Sequence, residues 1–206
     1  IDVERNLLIF GTGENYSSPA DENSDAIIAV RLDTGERLWS RQTFPDDAWN
    51  VACMMVDNPN CPEEDGPDYD QASSPLLVDT GDGTTMVVAG QKDGRVFALD
   101  WETGQNKLWE VKLGRGSIQG GVHFGMAAGG TTVYVPINDM NDTRNGEWLD
   151  PETARPGVSA VDAVTGEVLW SHVQEDVCGE GRPFCDPGVS AAITATDGAV
   201  IAGHLD

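Results

Sequence analysis

Three times along this chain a tight turn is followed, at a near-constant interval, by a tryptophan. The copies are Leu32-Asp33-Thr34-Gly35-Glu36-Arg37-Leu38-Trp39, Glu102-Thr103-Gly104-Gln105-Asn106-Lys107-Leu108-Trp109 and Val164-Thr165-Gly166-Glu167-Val168-Leu169-Trp170. Each follows a strand-like run: Ala26 to Leu32, Arg95 to Asp100 and Val158 to Asp162. The Thr-Gly pair suits a hairpin turn, because glycine takes positive φ without a steric cost. The tryptophan then places a large apolar group with one N–H to satisfy on the outgoing strand, where it can pack between neighbouring sheets.

The middle copy spells out a whole unit. Pro75 to Asp79, Thr84 to Gln91, Arg95 to Asp100 and Lys107 to Leu113 read as strands, separated by turns at Gly81-Asp82-Gly83, Lys92-Asp93-Gly94 and Thr103-Gly104. Four antiparallel strands in about 40 residues is the pattern of a propeller blade. The third copy reads as Val122 to Ala127, Thr131 to Ile137, Gly157 to Asp162 and Val168 to Val173, with Asn138 to Pro156 inserted. The first copy offers three strands, with Asn6 to Gly11 in the place of a second, and the end of the chain offers Ala191 to Thr196 and Ala199 to His204. The expectation is an all-β chain forming one partial propeller domain of about three and a half blades. Those blades fall near residues 1–42, 72–114, 122–174 and 190–206. A closed propeller needs at least about four blades, so the chain reads as a piece of a larger one. Unpaired strands at Asn6 to Gly11 and Ala199 to His204 would invite association with another chain.

Composition excludes some classes. Acidic residues outnumber basic ones 35 to 12, for a formal net charge of −23, and nucleic-acid binding needs the opposite footprint. No apolar run reaches membrane-spanning length, and Ile1 to Phe10 lacks the layout of a signal peptide. The four cysteines form two local pairs, Cys53/Cys61 and Cys178/Cys185, in loops rich in Pro, Gly, Asp and Glu. Two disulfides closing small loops are expected, and with them an oxidising compartment, periplasmic or secreted. The rival reading, a zinc site, has no C-x-x-C in its support.

Three motifs carry chemistry. Gly11-Thr12-Gly13-Glu14-Asn15-Tyr16-Ser17-Ser18-Pro19 is a glycine-rich strand exit that delivers a carboxylate and an amide in succession, hard oxygen donors that suit Ca²⁺. Its bland reading is an Asx-type turn. Gly66-Pro67-Asp68-Tyr69-Asp70-Gln71 holds two carboxylates two residues apart, which in extended backbone point the same way. The bland reading there is a pair of solvated loop aspartates. Ala89-Gly90-Gln91-Lys92-Asp93-Gly94 ends a strand on a lysine, which by itself could be an ordinary hairpin lysine.

The tryptophan blades and these motifs, in this order, resemble the pyrroloquinoline-quinone (PQQ) propeller superfamily. That superfamily holds alcohol dehydrogenases and also non-catalytic envelope-assembly propellers. The likeness spans nearly the whole chain and is closest to the polyvinyl-alcohol dehydrogenase branch. Gly11 to Pro19, Asp47-Ala48-Trp49-Asn50 with Cys53 and Cys61, and Gly114 to Gly121 carry the branch-level likeness.

The resemblance implies a larger, eight-bladed propeller, an alcohol substrate, PQQ, Ca²⁺ and a cytochrome c-like electron acceptor. It implies Asn15 as a metal ligand with Glu14 in reserve, Asp68 as general base, and Asp70 as a second metal ligand like that of the lanthanide-using branch. Lys92 would contact the quinone oxygens. Pro67 stands where the family has tryptophan. The family's vicinal cysteines, stacking tryptophan and glutamate ligand have no counterpart in this chain, so this piece alone is not expected to turn over. The Gly120-Gly121-Val122-His123 segment reads either as a cofactor-facing loop or as a buried first strand. The competing function is a non-catalytic propeller serving as an envelope interaction scaffold.

Overall fold

A computed structural model describes residues 1–139, 154–175, 177 and 186–205. The first sheet contains β1 (Leu7–Gly11), β2 (Ala26–Arg31) and β3 (Arg37–Gln42); the second contains β4 (Leu76–Asp79), β5 (Thr85–Gly90), β6 (Arg95–Asp100) and β7 (Lys107–Lys112). The third contains β8 (Ala127–Gly129), β9 (Thr132–Ile137), β10 (Gly157–Asp162) and β11 (Val168–Val173). Then come β12 (Asp186–Val189), β13 (Thr194–Thr196), β14 (Ala199–Ile201) and β15 (His204–Leu205), paired β12 with β15 and β13 with β14. Every ladder is antiparallel between sequence neighbours, apart from the β12–β15 pairing. The chain is all-β, in successive propeller blades.

The tryptophan repeat explains how the blades stack. In each full copy the register shifts one residue before the turn, between Ala29 and Val30, Ala98 and Leu99, and Ala160 and Val161. The small alanine at that bulge lies opposite the tryptophan: Ala29 opposite Trp39, Ala98 opposite Trp109 and Ala160 opposite Trp170. The turn glycines, Gly35, Gly104 and Gly166, take φ of 72°, 65° and 76°. Two of the three indoles, Trp39 and Trp109, dock on the next blade's turn. Trp39 donates Nε1–H to the Trp101 carbonyl at 3.0 Å and lies against Gly104, where a Cβ would stand 2.3 Å from the ring. Trp109 donates to the Ala163 carbonyl at 2.7 Å and lies against Gly166. Trp170 is 45% exposed.

Two apolar cores fill the gaps between blades. One joins Leu7, Ile27 and Trp39 to Val87, Phe97 and Leu99; the other joins Val88, Val96 and Met86 to Val133, Val135 and Val161. Residues of β5 alternate between the two, so the central sheet is buried on both faces.

Two expectations need correction. Val122 to Ala127 is not the first strand of the third blade, whose β8 begins only at Ala127. The reason is tertiary: the Val122 N–H donates across to the Gln91 carbonyl at 3.0 Å, and its side chain fills the space left by Gly90. That segment bridges two blades instead of pairing within one. The last stretch also divides differently, with only Thr194–Thr196 and Ala199–Ile201 forming the hairpin, while His204 pairs back to Val189. The outer edge of β1 is partly covered by Asp2, which exchanges two backbone hydrogen bonds with Leu7.

Cys53 and Cys61 form a disulfide; Cys178 and Cys185 lie outside the described residues. The bridge closes a strap that begins with a 3₁₀ turn at Val51–Met54. That strap packs on the Asn15–Ala20 loop: Asn50 Nδ2 donates to the Tyr16 carbonyl at 2.9 Å and Ala20 N–H donates to Glu64 at 3.0 Å. No helix among the described residues is long and apolar enough to cross a membrane.

Candidate functional site

The exit of β1, the segment 68–71 and the end of β5 converge on one cleft of about 750 Å³. Backbone hydrogen bonds stitch the three together. Gln71 N–H donates to the Thr12 carbonyl and Lys92 N–H to the Asp70 carbonyl, both at 3.1 Å. The glycines of the first motif make this approach possible, since a Cβ on Gly11 would stand 2.3 Å from the Gln71 carbonyl oxygen. One on Gly13 would stand 2.2 Å from Asp70 Oδ1. Gln91 adds a clamp from below, donating Nε2–H to the Tyr69 carbonyl at 2.7 Å.

Lys92 is the hub of the site. Its ammonium donates to Asp68 Oδ1 at 2.6 Å and to Asp70 Oδ2 at 2.7 Å. Lys92 is only 4% exposed and Asp68 only 5%. Asp68 holds this place with φ of 59°, in the left-handed region that aspartate tolerates better than most residues. Glu14 joins from the β1 exit: its N–H donates to Asp70 Oδ1 at 3.0 Å. Oxygens of Glu14, Asp68 and Asp70 come within 4.8 Å of one another.

Three carboxyls beside one ammonium cannot all be ionised comfortably in a desolvated cleft, and they titrate as a coupled set. Burial, then the hydrogen bond and charge of Asp70, push Glu14 up to about 9. Burial also raises Asp68, to about 7, against the opposing pull of Lys92. Burial works to raise Asp70 as well, but the hydrogen bond from Glu14 and the charge of Lys92 outweigh it and hold Asp70 near about 2. Lys92 is raised, because its two aspartate partners outweigh its desolvation. At neutral pH Glu14 therefore carries a proton shared with Asp70.

Of the residues singled out in the sequence, Glu14, Asp68, Asp70 and Lys92 are brought together. Asn15 lines the same cleft, but its Oδ1 accepts the Asp21 N–H at 3.0 Å, and its backbone pairs with Asp47 and Trp49 in a parallel bridge. Glu14, expected in reserve, is the residue of that motif whose side chain reaches the aspartates. His123 is held below its ordinary range by burial and then by the charge of Lys92, which places it beside the cluster, stacked on Phe124.

Asp25, fully buried behind the cluster, had no distinguishing signal in the sequence, and Asp47, equally buried, stood out there only within the Asp47-Ala48-Trp49-Asn50 likeness. Asp47 takes its importance from contacts 21 and 22 residues away, at the N–H groups of Asp68 and Tyr69.

A site that gathers two ionisable oxygens of opposite protonation and a buried ammonium fits a hard cation and an electron-rich oxygen of an organic cofactor. Glu14 and Asp70 supply the hard donors, and a cation there would replace the proton that now relieves their repulsion.

Residues 11–115 match the glucose/ethanol/alcohol dehydrogenase β-propeller domain, and residues 92–203 match the outer membrane protein assembly factor BamB. A polyvinylalcohol dehydrogenase from Pseudomonas sp. is 36% identical over 207 residues, and one from Sphingopyxis sp. (strain 113P3) is 32% identical over 210. Both alignments cover all of this chain and 31% of the relative, so the chain spans about a third of those proteins.

Among solved structures, BamB from Moraxella catarrhalis superposes with a TM-score of 0.55 at 15% identity, covering 97% of this chain and 40% of that one. A europium-containing methanol dehydrogenase gives 0.54 at 18% identity, covering 84% and 38%. These two share the fold. The chain belongs to the PQQ β-propeller family of glucose, ethanol and alcohol dehydrogenases, and within it to the polyvinyl-alcohol dehydrogenase branch.

Proposed function

We propose that this chain is the part of a PQQ- and calcium-dependent alcohol dehydrogenase that carries its general base and part of its cofactor site. The observation that carries this reading is the ion pair of a buried lysine with two aspartates, one of them joined to Glu14, at the floor of an open cleft. A buried lysine bonded to two aspartates is costly for a purely structural role.

In this reading Asp68, raised to about 7, accepts the hydroxyl proton of the alcohol. Lys92 sits where it can stabilise negative charge developing on an oxygen in the cleft. Glu14 and Asp70 hold the cation. When bound, the quinone supplies a hydride acceptor and the cation the Lewis acidity that polarises it. The substrate class is a secondary or primary alcohol, polymeric as in the two relatives' names. The electron acceptor is a cytochrome c-like protein. The Cys53–Cys61 bridge supports a periplasmic or secreted setting.

Asp68→Asn in the full-length protein tests this reading. It removes the base but keeps the shape, so turnover falls by about two to four orders of magnitude while quinone still binds. Retained turnover sinks the assignment. A non-catalytic scaffold is favoured by the BamB match over residues 92–203, but that role leaves the Lys92 cluster without a purpose.

A further inference from the structure

Asp25 leads the chain into β2 at φ of 46°, a left-handed conformation that Asp and Asn adopt more readily than other side-chain-bearing residues. Its backbone is fixed on both sides. The N–H donates to the Gly13 carbonyl at 3.0 Å, and the carbonyl accepts from Thr43 N–H at 2.9 Å and Thr43 Oγ1–H at 2.6 Å. Its side chain is fully buried, yet among the described residues neither carboxyl oxygen has a hydrogen-bond donor. A second fully buried carboxyl, that of Asp47, lies within range to act on it.

Asp47 is placed differently. Its Oδ1 accepts the Asp68 N–H at 3.3 Å and its Oδ2 accepts the Tyr69 N–H at 2.8 Å. Gly66 passes so close that a Cβ there would stand 2.1 Å from Asp47 Oδ1. Two backbone N–H groups point at the Asp47 carboxyl, whereas an ionised Asp25 would have no donor among the described residues. A buried carboxylate without a donor is among the most expensive groups in a fold, and two facing each other are worse. One proton placed between them removes both difficulties, because Asp25 then becomes the donor that Asp47 lacks on that side.

We propose that Asp25 and Asp47 form a buried acid–carboxylate pair sharing one proton, with Asp25 as donor, and that this pair positions Asp68 through the N–H groups of Asp68 and Tyr69. The consequence for turnover rests on the functional reading above; the pair itself does not. Such a restraint suits Asp68, whose φ of 59° is tolerated by aspartate but less favourable than extended backbone. Burial, and then the charge of Asp47, push the Asp25 carboxyl up to about 9, in the same direction as the geometric argument.

The test uses the full-length protein with three substitutions. Asp25→Asn keeps the left-handed backbone and puts an amide N–H in the place of the acid proton. Asp25→Gly keeps the backbone free but removes the donor. Asp47→Asn turns one of two acceptors into an NH₂ group facing a backbone N–H. Amide hydrogen exchange is read over residues 66–71, with residues 132–137 of β9 as the internal reference, together with kcat and KM. Asp25→Asn is expected to match the wild type, while Asp25→Gly and Asp47→Asn each speed exchange over 66–71 by about tenfold or more. Exchange in β9 stays unchanged, and kcat falls more than KM rises. An Asp25→Asn variant as impaired as Asp25→Gly overturns the proposal and points to a cation between the carboxyls. So does an Asp47→Asn variant as mild as Asp25→Asn. Exchange that follows the expected order while kcat responds to none of the three upholds the pair and removes Asp68 from the reaction.

Discussion

Glu14 shows how much a single side chain's role depends on its neighbours. In sequence it is one acid among 35. In the folded chain it is half-buried against Asp70 and Asp68, and its proton is held up to about 9. A group with a raised pKa keeps its proton at neutral pH and must release it to bind a cation. Calcium binding to the full-length protein should therefore release about one proton per ion at pH 7 and tighten by about tenfold for each pH unit up to about 9. Calorimetry in buffers of different ionisation enthalpy reads this directly. Glu14→Gln should abolish the proton release and weaken binding. An unchanged proton count in that variant would assign the released proton elsewhere.

At the scale of elements, the bulge, turn and indole act as one joint. Trp109 is docked through both its N–H and its ring, whereas Trp170 is 45% exposed. Trp109→Ala should cost about 3–5 kcal/mol, and Trp109→Phe about 1 kcal/mol for the lost hydrogen bond to Ala163. Trp170→Ala should cost much less than Trp109→Ala. Chemical denaturation of the three variants checks the order, and equal losses at both positions would show that docking on the next turn is not what the indole contributes.

This joint was legible in the sequence because its parts, Thr-Gly and Trp, lie within six residues of one another. The strands flanking those turns fell within a residue or two of expectation for the same reason. Val122 to Ala127 was not legible, since its hydrogen bonds go to Gln91 in another blade. The same limit applies to the site. Asp68, Asp70 and Lys92 stood out by motif, but the choice between Glu14 and Asn15 depended on where the β1 exit meets Asp70. Asp25 and Asp47 are joined only by the fold.

At the scale of the whole molecule, a glycine-lined strand exit, an aspartate pair and a strand-end lysine from two adjacent blades meet in one cleft. The chain spans about a third of its polyvinylalcohol dehydrogenase relatives, and the proposed function leaves the remaining walls of a cofactor site to the rest of the protein. In the proposed function the cleft binds quinone and calcium together. The most direct measurement is calorimetric titration of the full-length protein with pyrroloquinoline quinone, with and without Ca²⁺, in the wild type and in Lys92→Ala. Calcium-dependent quinone binding is expected, weakened at least about tenfold in Lys92→Ala, the loss of one charge-assisted hydrogen bond. Quinone binding that ignores both calcium and Lys92, or no binding by the full-length protein, would contradict it.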